Sequence, residues 1–266
     1  MGKRGPKVGI QMERVRLKED RRMALVDELR ALAIISMIGY HFCYDVVIIF
    51  DVDWPWFFGE TARLWQKTTS LTFIVIAGIC TYYSTRPFIR AFKVGACALL
   101  VTGATYFVYP DEMITFGILH FLAASMLVWA LFRRALSRIG PWVGFILSVL
   151  LAFATWDVGK GVIGLGAVAI RLPGFLYQSY WLSVLGFLNP DYVSADYFPF
   201  MPYFFVFMAG SYLSGAMRKL PPQFAREHIG PLAFIGRYSL PVYMTHQLVI
   251  FGALSLVFRL VKLAGV

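Results

Sequence analysis

Residues 31–50 read ALAIISMIGYHFCYDVVIIF. A helix crosses the hydrocarbon of a bilayer with about 20 apolar residues, and this run has that length. Inside it lies IGYHFCYD, Ile38–Asp45, with a histidine and, one turn later, an aspartate. At a rise of about 1.5 Å per residue, His41 would sit roughly 15 Å into the span, near mid-membrane. Asp45 would lie one turn further along on the same face. A charge at that depth costs about 2.5–3.5 kcal/mol even on the gentlest insertion scale, so the pair asks for a reason.

The rest of the chain has the same character. It is 266 residues long, 59% hydrophobic and 17% aromatic, with 15% charged residues. A soluble domain carries about 25% charged residues. Six further apolar blocks stand at Thr68–Tyr83, Phe92–Tyr109, Ile114–Phe132, Trp142–Trp156, Tyr197–Ala216 and Tyr238–Phe258. Backbone polar groups in lipid must be satisfied within their own segment, which makes these blocks helices. The expected fold is all-α: a polytopic transmembrane helical bundle of about seven spans. Its partner is the lipid bilayer. Two regions are expected, a basic N-terminal tail over residues 1–30 and a membrane domain over residues 31–266. Cys43, Cys80 and Cys97 all fall in predicted spans. Their odd number and spacing point to packing rather than to a disulfide or a metal site.

The net charge of +10 is not spread evenly: Lys3, Arg4, Lys7, Arg14, Arg16, Lys18, Arg21, Arg22 and Arg30 precede the first span. With a membrane following at once, such a lead suits anionic lipid rather than nucleic acid. It exceeds a signal-peptide n-region, and the first span reads as an uncleaved anchor. Basic residues mark the cytoplasmic side. With the N-terminus cytoplasmic, the basic connections at Arg86–Arg90–Lys93, Arg133–Arg134–Arg138 and Arg218–Lys219–Arg226 all face the cytoplasm. Of the alternate connections, the first holds Asp51, Asp53 and Glu60 with Arg63 and Lys67, the third Asp111 and Glu112, and the fifth Asp157, Asp191 and Asp196 with Lys160 and Arg171. The connection 157–196 is long for a loop, and length of that kind is usually functional or disordered. Its apolar first part, GKGVIGLGAVAI, reads as re-entrant or interfacial, and its later aromatics suit the membrane–water boundary.

The polar residues within this framework are the candidates for chemistry. Asp45 can accept a hydrogen bond from His41, fix its tautomer and raise its basicity, which is half of a general-base arrangement. The plainer reading is a polar pair that satisfies itself or bonds a neighbouring helix. His120, in FGILHFLAAS, sits near the outer end of the fourth span, and His246, in SLPVYMTHQ, lies in the last. Asp196 stands at the mouth of the sixth span, where it caps that helix or binds substrate. Asp27 and Arg30 form an i,i+3 pair before the first span, and Arg237 precedes the last. Both arginines are snorkelling anchors or, because their forks match phosphate, a site for a phosphorylated donor.

RRMALVDELRALAIISMIGYHFCYDV (21–46), FGILHFLAAS, DYFPFMPYFFVFMAGSYLSG and IGRYSLPVYMTHQ, taken in this order, resemble blocks of the bacterial membrane proteins grouped with the heparan-alpha-glucosaminide N-acetyltransferase catalytic domain. The resemblance implies an enzyme of the bacterial inner (plasma) membrane. It would pass acetyl from cytoplasmic acetyl-CoA, without a metal, to an amino sugar or other saccharide acceptor on the far side. His41 would be the catalytic base or acetyl carrier, oriented by Asp45, with His120 beside the acceptor. Asp196 and His246 would bind substrate, and Asp27, Arg30 and Arg237 would lie at the donor entry. Two departures stand out. Ala31 follows Arg30 where the family often has glycine, and the first loop, Asp51–Lys67, holds no histidine, unlike the eukaryotic lysosomal branch. Two alternatives remain open, an O-acyltransferase of cell-surface polysaccharide and a proton-coupled small-solute transporter. The transporter reading lacks the internal repeat common among carriers. Nothing in the sequence specifies an oligomeric state.

Overall fold

The structure, a computed structural model, describes residues 6–217 and 230–263. Lys3 and Arg4 of the basic tail, the connection residues Arg218, Lys219 and Arg226, and the fourth histidine, His228, lie outside them. The fold is all-helical apart from one small hairpin. The helices are α1 (Pro6–Tyr44), α2 (Glu60–Tyr82), α3 (Pro87–Val108), α4 (Ile118–Leu136), α5 (Pro141–Ala154), α6 (Phe200–Met217), α7 (Gly230–Arg237) and α8 (Ser239–Leu263). Among the described residues, six stretches are long and apolar enough to cross a membrane: Leu25–Ile49, Pro87–Val108, Ile118–Leu136, Pro141–Lys160, Phe200–Met217 and Ser239–Leu263. Helix α2 is 23 residues long. Its first turns carry Glu60, Arg63, Gln66, Lys67, Thr68 and Thr69, which lower its hydropathy below that of the other six. It begins at Glu60, well before the apolar block at Thr68, because polar residues propagate a helix as readily as apolar ones. Glu60 in its first turn also complements the helix dipole.

The chain divides into two compact units, Met1–Phe73 with Lys219–Val266, and Ile74–Arg218. In the first, α1 packs against α7 and α8. Ala31 and Ile34 on α1 are completely buried. A Cβ at Gly236 of α7 would overlap the backbone carbonyl of Asp27, so the two helix backbones touch there. After Tyr44 the helix widens into a π turn, Asp45–Ile49, closed by Phe50 N–H on the Asp45 carbonyl at 3.0 Å. Val46, Ile250 and Leu254 form one apolar cluster beneath it, and Val47, Phe57 and Ala62 another. Ser36 ties α1 to α2 through Thr69 Oγ1 and the Trp65 indole N–H, each at 2.8 Å.

In the second unit α3 packs on α4 and α5 on α6. The C-terminal part of α2 meets α6 through glycines. A Cβ at Gly78 would overlap the Phe207 carbonyl, and one at Gly210 the Val75 carbonyl. Ser211 and Ser214 donate across this contact to the carbonyls of Gly78 and Ile79, both at 3.1 Å. Small residues with short polar side chains are how helices associate where lipid supplies no hydrophobic force between them. Between α5 and α6 the chain forms short 3₁₀ turns and an antiparallel hairpin, β1 (Val162–Ile163) and β2 (Ile170–Arg171).

Candidate functional site

Two constellations form, one in each unit. In the first, α1 and α8 bring the imidazoles of His41 and His246 together edge to face, with ring centroids 5.1 Å apart. The His246 Nδ1–H donates to the Tyr243 carbonyl one turn back, at 2.5 Å. Because a carbonyl only accepts, this bond places the hydrogen on Nδ1 and leaves the Nε2 lone pair available. That Nε2 is buried and has no hydrogen-bond partner. His41 is half-buried, and its ring makes no hydrogen bond among the described residues.

Asp45 does not bond His41 among the described residues, contrary to the expectation from their spacing. The carboxyl is taken instead by an amide on α8. Asp45 is fully buried, and its Oδ1 accepts from Gln247 Nε2 at 2.7 Å. Its Oδ2 and the Gln247 Oε1 are buried without hydrogen-bond partners among the described residues. Asp45 Oδ2, Gln247 Oε1 and His246 Nε2 are therefore three unpaired buried acceptors on the same two elements. Buried acceptors left unpaired are costly, and such a set suits a ligand rich in hydrogen-bond donors.

Asp27, Arg30 and Arg237, the residues expected at a donor entry, also assemble in this unit. Arg30 Nη1 donates to Asp27 Oδ1 at 2.7 Å and to the Gly236 carbonyl at 2.9 Å. Arg237 Nε lies 3.8 Å from Asp27 Oδ2, with its side chain 59% exposed. Asp27 holds Arg30 against α7, and Arg237 is the more exposed of the two arginines.

In the second unit His120 and Asp196 converge on the N-terminus of α4. The His120 Nδ1 accepts from Gly117 N–H at 3.3 Å. Its Nε2–H donates to Thr102 Oγ1 at 3.2 Å, and the Thr102 hydroxyl donates to the Ile114 carbonyl at 2.7 Å. Both ring nitrogens are thus engaged in bracing the turn. Asp196 accepts from Ile118 N–H at 2.9 Å. It therefore caps α4, not the helix it precedes, and supplies the negative charge that a helix N-terminus favours. Ser194 Oγ accepts from Thr115 N–H at 3.1 Å and donates to the Asp196 carbonyl at 2.8 Å. Burial raises the Asp196 carboxyl to about 6, against the Ile118 N–H, which lowers it. Burial also pushes the Tyr192 phenol up to about 12 and raises that of Tyr197.

Sequence reasoning did not assign roles to Gln247, Tyr243, Thr102 or Ser194. Gln247 carried a signal, as an amide beside a histidine in an apolar span. The others act through backbone or hydroxyl bonds that no spacing announces.

Six helices that, among the described residues, are long and apolar enough to cross a membrane define a polytopic membrane protein. The family model described as heparan-alpha-glucosaminide N-acetyltransferase, catalytic, matches residues 22–248. The chain belongs to that family, and its function is of the membrane acyltransferase kind. Every candidate residue named above falls within the matched range. No curated protein and no solved structure matches the chain.

Proposed function

We propose that the protein moves an acetyl group from cytoplasmic acetyl-CoA to an amino sugar or glycan on the opposite side of the membrane, with the His41–His246 pair as the reactive centre. The observation that carries this reading is the fixed tautomer of His246 beside an unengaged His41, within a family of acyltransferases. An acceptor amine or hydroxyl is a weak attacker on a thioester until its proton is removed. The Nε2 of an oriented imidazole removes it as the new C–N or C–O bond forms, an effect typically worth about 10²–10⁴-fold. The C–S bond then breaks, and the imidazolium returns the proton to the departing thiolate. Direct transfer in this form needs no acyl-enzyme.

The sequence alone points to His41 as base. The geometry favours His246 for that role, because its Nδ1–H is already held by the Tyr243 carbonyl. His41, with no bond to fix it, is the ring able to turn toward the incoming acceptor. Asp45 and Gln247 supply further acceptor atoms for donor groups on the saccharide. A dry interior limits loss of the thioester to hydrolysis. Arg237 and Arg30, steadied by Asp27, would meet the phosphates of the donor. His120 and Asp196 shape the start of α4, and their roles toward the acceptor act through that turn.

The test is acetyl transfer by the purified protein in proteoliposomes, with label on the acetyl group of acetyl-CoA. The acceptor panel should include amino sugars and neutral saccharides. Label on an amino sugar supports N-transfer, and label only on neutral saccharide hydroxyls supports the O-acyltransferase reading. Flux of solute with no transferred label would support the transporter instead.

A further inference from the structure

The connection between α5 and α6 holds a hairpin whose exposed side chains are apolar. Gly164 N–H donates to the carbonyl of Ala154, the last residue of α5, at 2.7 Å. Val162 N–H returns to Asp157 at 3.2 Å, and Leu172 N–H to Gly161 at 2.8 Å. The hairpin is therefore bonded directly to the end of a membrane span rather than held away from it. Val162 pairs with Arg171 and Ile163 with Ile170. The turn is tight: Gly164 has φ +127°, and a Cβ there would meet the Val168 carbonyl at 2.5 Å.

On this short scaffold Val168 is 75% exposed and Ile170 64%, with Leu165 also exposed. Phe175 and Trp181, further along the connection, are 66% and 78% exposed. Exposed apolar groups gathered in this way mark an interaction surface. Their neighbours identify the partner. Trp156, at the end of the span, and Trp181 are residues of the kind that settle at the membrane–water boundary. Arg171 flanks the apolar tip with an exposed cationic head on an apolar stem, suited to snorkelling toward headgroups, while Lys160 pairs with Asp157 at 2.8 Å.

We infer that the 162–171 hairpin lies on the membrane, with Leu165, Val168 and Ile170 set into the boundary between headgroups and acyl chains of the leaflet from which α5 emerges. Deeper entry is disfavoured. Each strand has two residues, and the outward-facing edges carry backbone groups that hydrocarbon cannot satisfy. The hairpin is a lipid-anchored strap that fixes the level of the connection. The inference depends on the spans alone, and holds whichever acceptor the enzyme uses.

The experiment uses the full chain in nanodiscs of phosphatidylethanolamine and phosphatidylglycerol. Cys43, Cys80 and Cys97 are replaced by alanine, and a spin label is placed through Val168→Cys or, as the aqueous reference, Asp191→Cys. Power saturation should show the label at 168 several-fold more accessible to oxygen than to a water-soluble nickel chelate, and the reverse at 191. Equal accessibility to the chelate at both sites would overturn the proposal. So would protection from both reagents, which would mean that a second copy or another protein covers the tip. If the cysteine-free background fails to fold, tryptophan emission decides. Lipid brominated near the headgroup should quench the part of the wild-type emission that Trp181→Phe removes. No difference between wild type and Trp181→Phe in that quenching would contradict the inference.

Discussion

Gln247 on the last span donates its side-chain amide to the carboxyl of Asp45 on the first, at 2.7 Å, within an apolar interior. Together with the Arg30 bond to the Gly236 carbonyl, it ties the two ends of the matched sequence. Replacing Gln247 with alanine leaves Asp45 buried without that donor. An unsatisfied buried group costs about 1–3 kcal/mol, more if charged. Thermal unfolding in detergent should show Gln247→Ala several degrees less stable than wild type. Adding Asp45→Leu should recover part of the loss, since removing both partners spares the orphan. Simple additivity of the two substitutions would mean that the bond carries no weight.

Gly236 permits the approach of α7 to α1 at Asp27. A methyl group there meets backbone, which cannot yield as a flexible side chain would. Gly236→Ala should cost about 3 kcal/mol, at the upper end of overpacking effects, and should break the Arg30 bond to the Gly236 carbonyl. The measurement is the yield of folded protein by size-exclusion chromatography together with its unfolding temperature. Gly252→Ala, where a Cβ meets nothing within 4 Å, is the control and should behave as wild type.

The apolar blocks alone were enough to read an all-helical membrane fold, because hydrocarbon leaves the backbone no other choice. The start of α2 at Glu60 was not legible, since its first turns are polar and look like loop. His41, His246 and Asp196 could be picked out as titratable groups in or beside apolar spans. Their partners could not. His41 meets His246, and Asp45 meets Gln247, only because the first span packs against α8. Asp196 caps α4 rather than α6 because residues 193–198 run beside 113–118, with Ala195 N–H on Met113 and Phe198 N–H on Phe116, each at 3.2 Å. Pairings across long sequence separations leave no local period to detect.

Asp196 also gives a pH signature. Its carboxyl is raised to about 6 by burial, above the value near 3.9 of an unfolded chain. The fold therefore gains stability from the bound proton that is fully present below about pH 4 and lost as pH rises through about 6. The unfolding temperature of wild type should rise relative to that of Asp196→Asn as pH falls from about 7 to about 4.5. Parallel curves for the two proteins would show that Asp196 does not titrate in this way.

Arg237 is the exposed member of the Asp27–Arg30–Arg237 group. If it meets the donor phosphates, Arg237→Ala should raise KM for acetyl-CoA about tenfold with kcat little changed, which is the pattern of lost ground-state binding. A fall in kcat at unchanged KM would place its role elsewhere.

The central claim is that the His41–His246 pair performs acyl transfer. Single-turnover transfer of labelled acetyl, measured over a range of pH for wild type, His41→Ala and His246→Ala reconstituted in the same lipid, tests it most directly. Both variants should fold as wild type does, and each should lose at least about 10²-fold in rate, the lower end of what a general base supplies. His246→Ala should also lose the rise of rate with pH that an ionising imidazole imposes. Wild-type rates and an unchanged pH profile in His246→Ala, with the protein folded, would contradict the account.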